Sequence, residues 1–378
     1  MTGISEMLQS KTRLLSNLRL IANLRSLSVQ SVENCKESSF NQASFDQNEA
    51  SDQRSARRIH PFNAMYPWAN LKQFVDHLEK RIIFNDKNLI AIDKPWGVAY
   101  HKANKTLHKP YSFETLSMIP GEPRFCMNDA LPFLEERLQV EKLHYVKTID
   151  RYSSGVVLLC GNEKLKPKIQ KCINRSKTHL IPLYSFQCIA QGFPAIQGDE
   201  LSEKVRIKLR DLDELADYKE PIIAPEKCHK KVLDRGYLTR VSLRIKAINK
   251  LNSASYLNVC TNQLRWNFVR CYVANKAAFV IGDLRFSANM KRILGETVIE
   301  TTNSFYKNNR IEPMNRTMLR ALKVQSNRKV PLMLHLDSVY LERYEGRDLV
   351  IKTNKLPDHF QFALERLGLH DAKSVPAS

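Results

Sequence analysis

The chain has 378 residues, 43% of them hydrophobic, and carries 59 Lys+Arg against 39 Asp+Glu for a formal net charge of +20. No apolar run reaches the roughly 18 residues of a membrane-spanning helix, which excludes an ordinary helical span. The cation surplus favours a polyanionic partner, since each Lys or Arg that neutralises a phosphate releases counterions; a protein that is basic because it sits among ribosomal components is the other reading, and it too keeps company with RNA.

From Met7 to Val32 there is no acidic residue, and Lys11, Arg13, Arg19 and Arg25 alternate with leucines and Ile21. This basic, serine-containing amphipathic pattern predicts a mitochondrial presequence over residues 1–32, with a basic surface helix or arm as the alternative. Residues 33–60 are polar, rich in Ser, Asn, Gln and Asp, and predict a linker without a core. A single ordered domain is expected over 61–369, followed by a flexible tail over 370–378.

The ordered part begins with a helix predicted over Asn70–Arg81, with Leu71, Phe74, Val75 and Leu78 at helical spacing. A hairpin follows, Ile82–Phe84 and Leu89–Ile92, closed by Asp93-Lys94-Pro95-Trp96-Gly97. Asn128 or Asp129 is expected to cap a helix running to about Leu138. The stretch Ile149-Asp150-Arg151-Tyr152-Ser153-Ser154-Gly155 then sets an isolated carboxylate, beside an arginine, at the mouth of the apolar strand Val156–Cys160. Two readings fit Asp150: a turn aspartate holding backbone N–H groups, or an acid tuned by a neighbouring cation for nucleophilic or base work.

Beyond it, Asn162–Asn174 predicts a helix with Ile169 and Ile173 inward and Lys164, Lys166, Lys168 and Lys171 outward; Leu183–Ala190 predicts a strand containing Tyr184. The acid-leaning region from Gly198 to His229 reads as a surface insertion. Thr239–Ile248 alternates as a half-exposed strand expected to pair with Ala254–Cys260. Arg265 and Arg270 stand five apart at an apolar helix start, before Ile281-Gly282-Asp283, and call for anionic partners. The eight cysteines include no Cys-x-x-Cys pair and suit reduced core thiols; Cys228-His229 lacks further ligands, so no metal site is expected.

Taken in order, these segments resemble the RluA-type pseudouridine synthases. The Asp150 loop is similar to that family's His-Arg-Leu-Asp-Arg-x-Thr-Ser-Gly, Asp93-Lys94-Pro95-Trp96-Gly97 to its Lys-Pro-x-Gly turn, and Arg265 through Arg270 to its Gly-Arg-x-His-Gln-Ile-Arg segment. Arg316–Leu322 and Leu356–Phe360 match more weakly. The resemblance implies an α+β fold, with a mostly antiparallel mixed sheet flanked by helices and a catalytic cleft across it. It implies Asp150 as the catalytic aspartate, Arg270 as its counter-ion, and Tyr184 as the aromatic that stacks on the target uracil. Lys94, Lys147, Arg151 and Arg265 are the expected RNA contacts. No cofactor is expected, RNA is the expected partner, and the mitochondrial matrix the expected location.

The chain departs from the family pattern at Lys147-Thr148, which stand where it has His-Arg, and across Leu264–Phe268. Those departures keep a second reading open, an RNA-binding factor for mitochondrial ribosome assembly that retains the fold without the reaction. A metal-dependent nuclease is disfavoured, because no carboxylates cluster near Asp150 in the sequence.

Overall fold

The computed structural model describes residues 60–63, 66–102, 124–211, 219–225, 236–284, 286–287, 290–293, 296–299, 314–326 and 329–369. The presequence and all of the linker except His60, the Cys228-His229 pair and the 370–378 tail lie outside them.

Helix α1 (Leu71–Glu79) forms where its spacing predicts, started by Asn70, whose side chain accepts a hydrogen bond from Gln73 N at 2.9 Å, and burying Phe74, Val75 and Leu78. It leads into the antiparallel hairpin β1 (Ile82–Asp86) and β2 (Leu89–Lys94). Helix α2 (Met127–Leu138) begins earlier than Asn128 or Asp129 suggested: Cys126 is its N-cap, and Asp129 instead accepts Cys126 N at 2.9 Å from inside the first turn. The shift follows burial, since the apolar stripe Met127, Ala130, Leu131 and Leu134 already starts at Met127.

Strands β3 (His144–Lys147) and β4 (Ser154–Cys160) enclose the Asp150 loop, and all seven residues of β4 are buried. Helix α3 (Leu165–Thr178) buries Ile169 and Ile173 and exposes the four lysines, as expected. Strand β5 (Tyr184–Gln191) follows, then a long hairpin, β6 (Glu200–Asp211) and β7 (Lys219–Pro225). The surface-insertion reading of this region is corrected here: β6 pairs with β8 (Tyr237–Asn249) and extends the main sheet, with Val205 and Ile207 in the core. Strand β9 (Ala254–Thr261) pairs with β8 as expected. A 3-10 turn (Arg265–Asn267) starts α4 (Phe268–Asn275), after which come β10 (Phe279–Val280), the separate hairpin β11 (Met290–Ile293) and β12 (Glu296–Ile299), α5 (Arg316–Ala321), β13 (Leu334–Tyr344), β14 (Arg347–Lys352) and α6 (Asp358–Leu367).

The main sheet runs β1-β2-β4-β13-β5-β9-β8-β6-β7, with β3, β10 and β14 pairing at its sides. It is mixed: β13 lies parallel to β4, and its other pairings are antiparallel. Together with its flanking helices this is the expected α+β architecture. Strand β13 is the seam. The block β1, β2, β3 and β4 carries the Asp150 loop, the block β5, β9 and β8 leads to Arg270, and β13 joins them edge to edge.

Two glycines set how closely the seam draws in. Gly155 (φ +117°) and Gly282 (φ +81°) each leave no room for a Cβ, which would strike Leu336 O and Pro331 O respectively. Each fully buried aliphatic along β4 and β13 contributes about 1.5–3 kcal/mol relative to exposure, so the seam is held mainly by apolar burial. No helix among the described residues is long and apolar enough to cross a membrane. The described cysteines are free thiols.

Candidate active site

The Asp150 loop leaves β3 and returns into β4 as a tight Asp turn. Asp150 Oδ1 accepts Tyr152 N at 2.6 Å and Ser153 N at 2.9 Å, while Oδ2 accepts Ser153 Oγ at 2.9 Å. An aspartate bonded to the backbone two and three residues ahead is the local reason this sequence turns here. The structure shows the turn aspartate of the first reading, and its side chain remains 27% exposed toward a cleft.

The loop is fixed from beneath. Ile149 N donates to Tyr100 Oη at 3.1 Å, and Arg151 Nε donates to Gly97 O at 3.2 Å. Lys94 Nζ donates to Arg151 O at 3.0 Å, to Pro95 O at 3.0 Å and to Val98 O at 3.2 Å. With 0% exposure, Lys94 cannot reach a phosphate, so its expected role as an RNA contact is corrected to one of holding the turn. Burial pulls its pKa down to about 7, against the opposing attraction of Asp150 and then Asp93. A lysine inside the fold needs its hydrogens satisfied, and three carbonyls satisfy them.

Across the seam, α4 presents Arg270, 4% exposed. Its guanidinium grips Asp283 through two hydrogen bonds, Nε to Oδ2 and Nη2 to Oδ1, both 2.8 Å, while its Nη1 lies 3.9 Å from Asp150 Oδ2. Burial works against the charge on Arg270, but Asp283 outweighs it and Asp150 adds a smaller pull, so its pKa stands above the ordinary arginine range. Arg270 thus faces Asp150 as expected, yet the sequence reading missed that Asp283 is its principal partner. The Ile-Gly-Asp segment was the available signal: Gly282 brings the chain against Pro331, and Asp283 follows it.

Between these groups lies a cleft with about 370 Å³ of empty space, lined among others by Thr148, Asp150, Phe186, Leu264, Asn267, Arg270 and Leu334. Tyr184 does not line it. It is 1% exposed, its hydroxyl has no hydrogen-bond partner, and burial raises its pKa. Phe186, two residues on and on the same face of β5, takes the cleft position: it pairs with Leu336, which in turn pairs with Gly155 at the end of the Asp150 loop. Tyr184 pairs with Val339, further along β13 and beyond a register shift.

At the rim, Lys147 Nζ lies 5.8 Å from the Tyr184 ring centroid, and its pKa is pulled down to about 8 by burial and then by Lys177 and Arg265. Exposed Arg265 donates to Tyr237 Oη at 2.8 Å. Arg151 is half-buried, its Nε engaged with Gly97. Among the described residues no group of three or more His, Cys, Asp or Glu side chains is placed to hold a metal.

No family model matches the sequence. The chain is 25% identical over 122 residues to the mitochondrial pseudouridylate synthase RPUSD4 of Rattus norvegicus, covering 32% of this chain and 28% of that protein. It is 26% identical over 121 residues to the protein of the same name from Homo sapiens, covering 31% and 25%. The matched stretch thus spans little more than a quarter of these relatives. The solved structure of human RNA pseudouridylate synthase domain containing 4 superposes over 79% of this chain and 97% of that one, with a TM-score of 0.54 at 18% identity. The fold is that of the pseudouridine synthases, and over about a third of its length the chain is similar in sequence to the mitochondrial pseudouridylate synthase RPUSD4.

Proposed function

We propose that this protein isomerises uridine to pseudouridine in RNA, with Asp150 as the catalytic residue. The observation that carries the reading is the placement of one partly exposed carboxylate on a braced turn, facing Arg270 at 3.9 Å across a cleft walled by Phe186. The reaction breaks the N1–C1′ bond, forms C5–C1′, removes the proton from C5 and returns one to N1. Substrate and product are isomers, so no oxidant, reductant or external cofactor is required. What the protein must supply is an acid–base or nucleophilic carboxylate and a pocket for a base taken out of its stack.

Each group has a part in this. The turn amides and Ser153 Oγ, together with Arg270, hold the Asp150 carboxylate in place and aim it into the cleft. Phe186, Leu264 and Leu334 give the cleft apolar walls that would hold the flipped uracil and exclude water around it. Lys147 and Arg265 at the rim supply phosphate contacts, which give affinity with little sequence choice. The basic presequence-like terminus and the mitochondrial RPUSD4 relatives support mitochondrial RNA, rRNA or mRNA, as substrate and the matrix as location.

The test is pseudouridine mapping of mitochondrial RNA in cells lacking the protein and rescued with wild type or Asp150→Asn. Sites restored by wild type alone establish the enzyme and its substrate together. Identical maps, with the variant restoring mitochondrial translation, would sink the catalytic reading and leave an RNA-binding assembly factor.

A further inference from the structure

Lys147 and Arg265 each stand one residue from a group that lines the cleft, Thr148 and Leu264 respectively. Lys147, Lys177 and Arg265 come from β3, α3 and the 3-10 turn, three elements distant in sequence, and none forms an ion pair with an acid among the described residues. They lie near enough for Lys177 and Arg265 to depress Lys147 and for Arg265 to depress Lys177, beneath the larger effect of burial. Like charges held together without a counter-ion cost folding energy, and a bound anion relieves that cost.

Beside them stands an aromatic pair. Tyr237 is 44% exposed, and its ring centroid lies 5.4 Å from that of Trp266. The Arg265 guanidinium sits 5.0 Å from the Tyr237 ring and holds its hydroxyl at 2.8 Å. Trp266 and Asn267 both adopt left-handed backbone (φ 56° and 55°), a conformation that is strained for a bulky residue. This turn puts Asn267 into the cleft wall while its neighbours Arg265 and Trp266 meet Tyr237 at the rim.

We infer that Lys147, Lys177 and Arg265 grip a phosphate of single-stranded RNA while Tyr237 and Trp266 stack on the base of a nucleotide adjacent to the target uridine. The inference rests on the isomerase reading only for the identity of the flipped nucleotide. Cations supply the backbone attraction and a π-face supplies base contact without demanding a particular base, the combination that suits an unpaired strand. The subsite selects for an unstacked neighbour, and so for targets in loops or single strands rather than in continuous duplex.

The test uses a short single-stranded RNA with a central uridine, two versions lacking the base on one or the other side of it, and the same sequence as a duplex. Binding is measured by fluorescence anisotropy across a salt series, and pseudouridine formation is read on the same RNAs with Asp150→Asn as control. Wild type should bind one of the abasic RNAs about tenfold more weakly than the intact strand. Tyr237→Ala and Trp266→Ala should bind the intact RNA that weakly and lose the dependence on the base, whereas Trp266→Phe should keep it. Lys177→Gln should weaken every RNA alike and lower the salt slope by about one. A wild type indifferent to both missing bases, or equally fond of the duplex, overturns the inference, as do folded alanine variants that retain full base dependence. Base dependence in a protein that forms no pseudouridine supports the subsite and removes the isomerase reading; pseudouridine formation without base dependence does the reverse.

Discussion

Lys94 and Asp150 hold the same turn from opposite sides: the ammonium takes Arg151 O at 3.0 Å, and the carboxylate takes Tyr152 N at 2.6 Å on the very next residue. Lys94→Met should leave that carbonyl unpaired and let the turn drift, lowering isomerase turnover about ten- to a hundredfold, because small misplacements of a reacting group are costly. Stability should also change its pH dependence. The folded pKa of Lys94, about 7, lies below the ordinary 10.5, so the folded state binds fewer protons between those values. Wild-type stability therefore gains from this group as pH rises from about 7 toward 10.5. Denaturant titrations should show that gain in wild type and not in Lys94→Met; parallel curves would refute the assignment.

Arg270 divides its attention unequally between two carboxylates, and the two should respond differently to mutation. Asp283→Ala strands a buried guanidinium and is expected to cost about 3–5 kcal/mol of stability. Asp150→Asn keeps the acceptor for Tyr152 N and Ser153 N, so the fold should lose no more than about 1 kcal/mol while turnover disappears. Chemical denaturation paired with a single-turnover assay separates the two, and comparable stability losses would contradict the unequal sharing.

The two aromatics of β5 can be told apart in the same way. Tyr184→Phe removes a buried hydroxyl that has no partner, so stability should hold or rise by about 1–3 kcal/mol and turnover should stay near wild type. Phe186→Leu trims the cleft wall and should reduce turnover more than stability. A large loss of turnover in Tyr184→Phe would restore the tyrosine to the chemistry.

Acidification should weaken the fold through two buried histidines, His335 and His359, and the half-buried His77. His335, bonded to Ser154 Oγ at 2.9 Å and Thr353 Oγ1 at 3.1 Å, is pushed down to about 3 by burial, and burial likewise takes His359 and His77 to about 4. Each folded value lies below the ordinary 6.5, so stability present at neutral pH is lost as pH falls below about 6.5. Asp93, raised by burial to about 6, opposes this between about 6 and 3.8. Three groups against one predict a net loss, and His335→Gln should flatten the lower part of the curve measured by thermal melting.

Local chemistry made much of this structure legible. Apolar spacing and turn residues located α1, the hairpin of β1 and β2, and the strand behind Asp150, because each depends on residues a few positions apart. The β6 hairpin was misread because the acids between its strands drew the eye, although Lys204, Arg206 and Lys208 alternate with Val205, Ile207 and Leu209 as in a strand, and pairing with β8 brings it into the sheet. Lys94 misled because charge suggests exposure, whereas the nearby carbonyls of Pro95 and Val98 and the distant one of Arg151 make its burial tolerable. Tyr184 and Phe186 point to the same face of β5, so alternation cannot choose between them; the choice is made by register against β13, some 150 residues later.

That seam strand also imposes an order on synthesis. A ribosome delivers the Asp150 block first, then Phe186 and Arg270, and only afterwards β13, the strand through which the two blocks pair. Until residues 334–344 have emerged, the nascent chain holds its carboxylate and its guanidinium on separate pieces of sheet, with the cleft unassembled. On the isomerase reading, a chain still being translated cannot yet modify RNA, and competence waits for the strand that closes the seam.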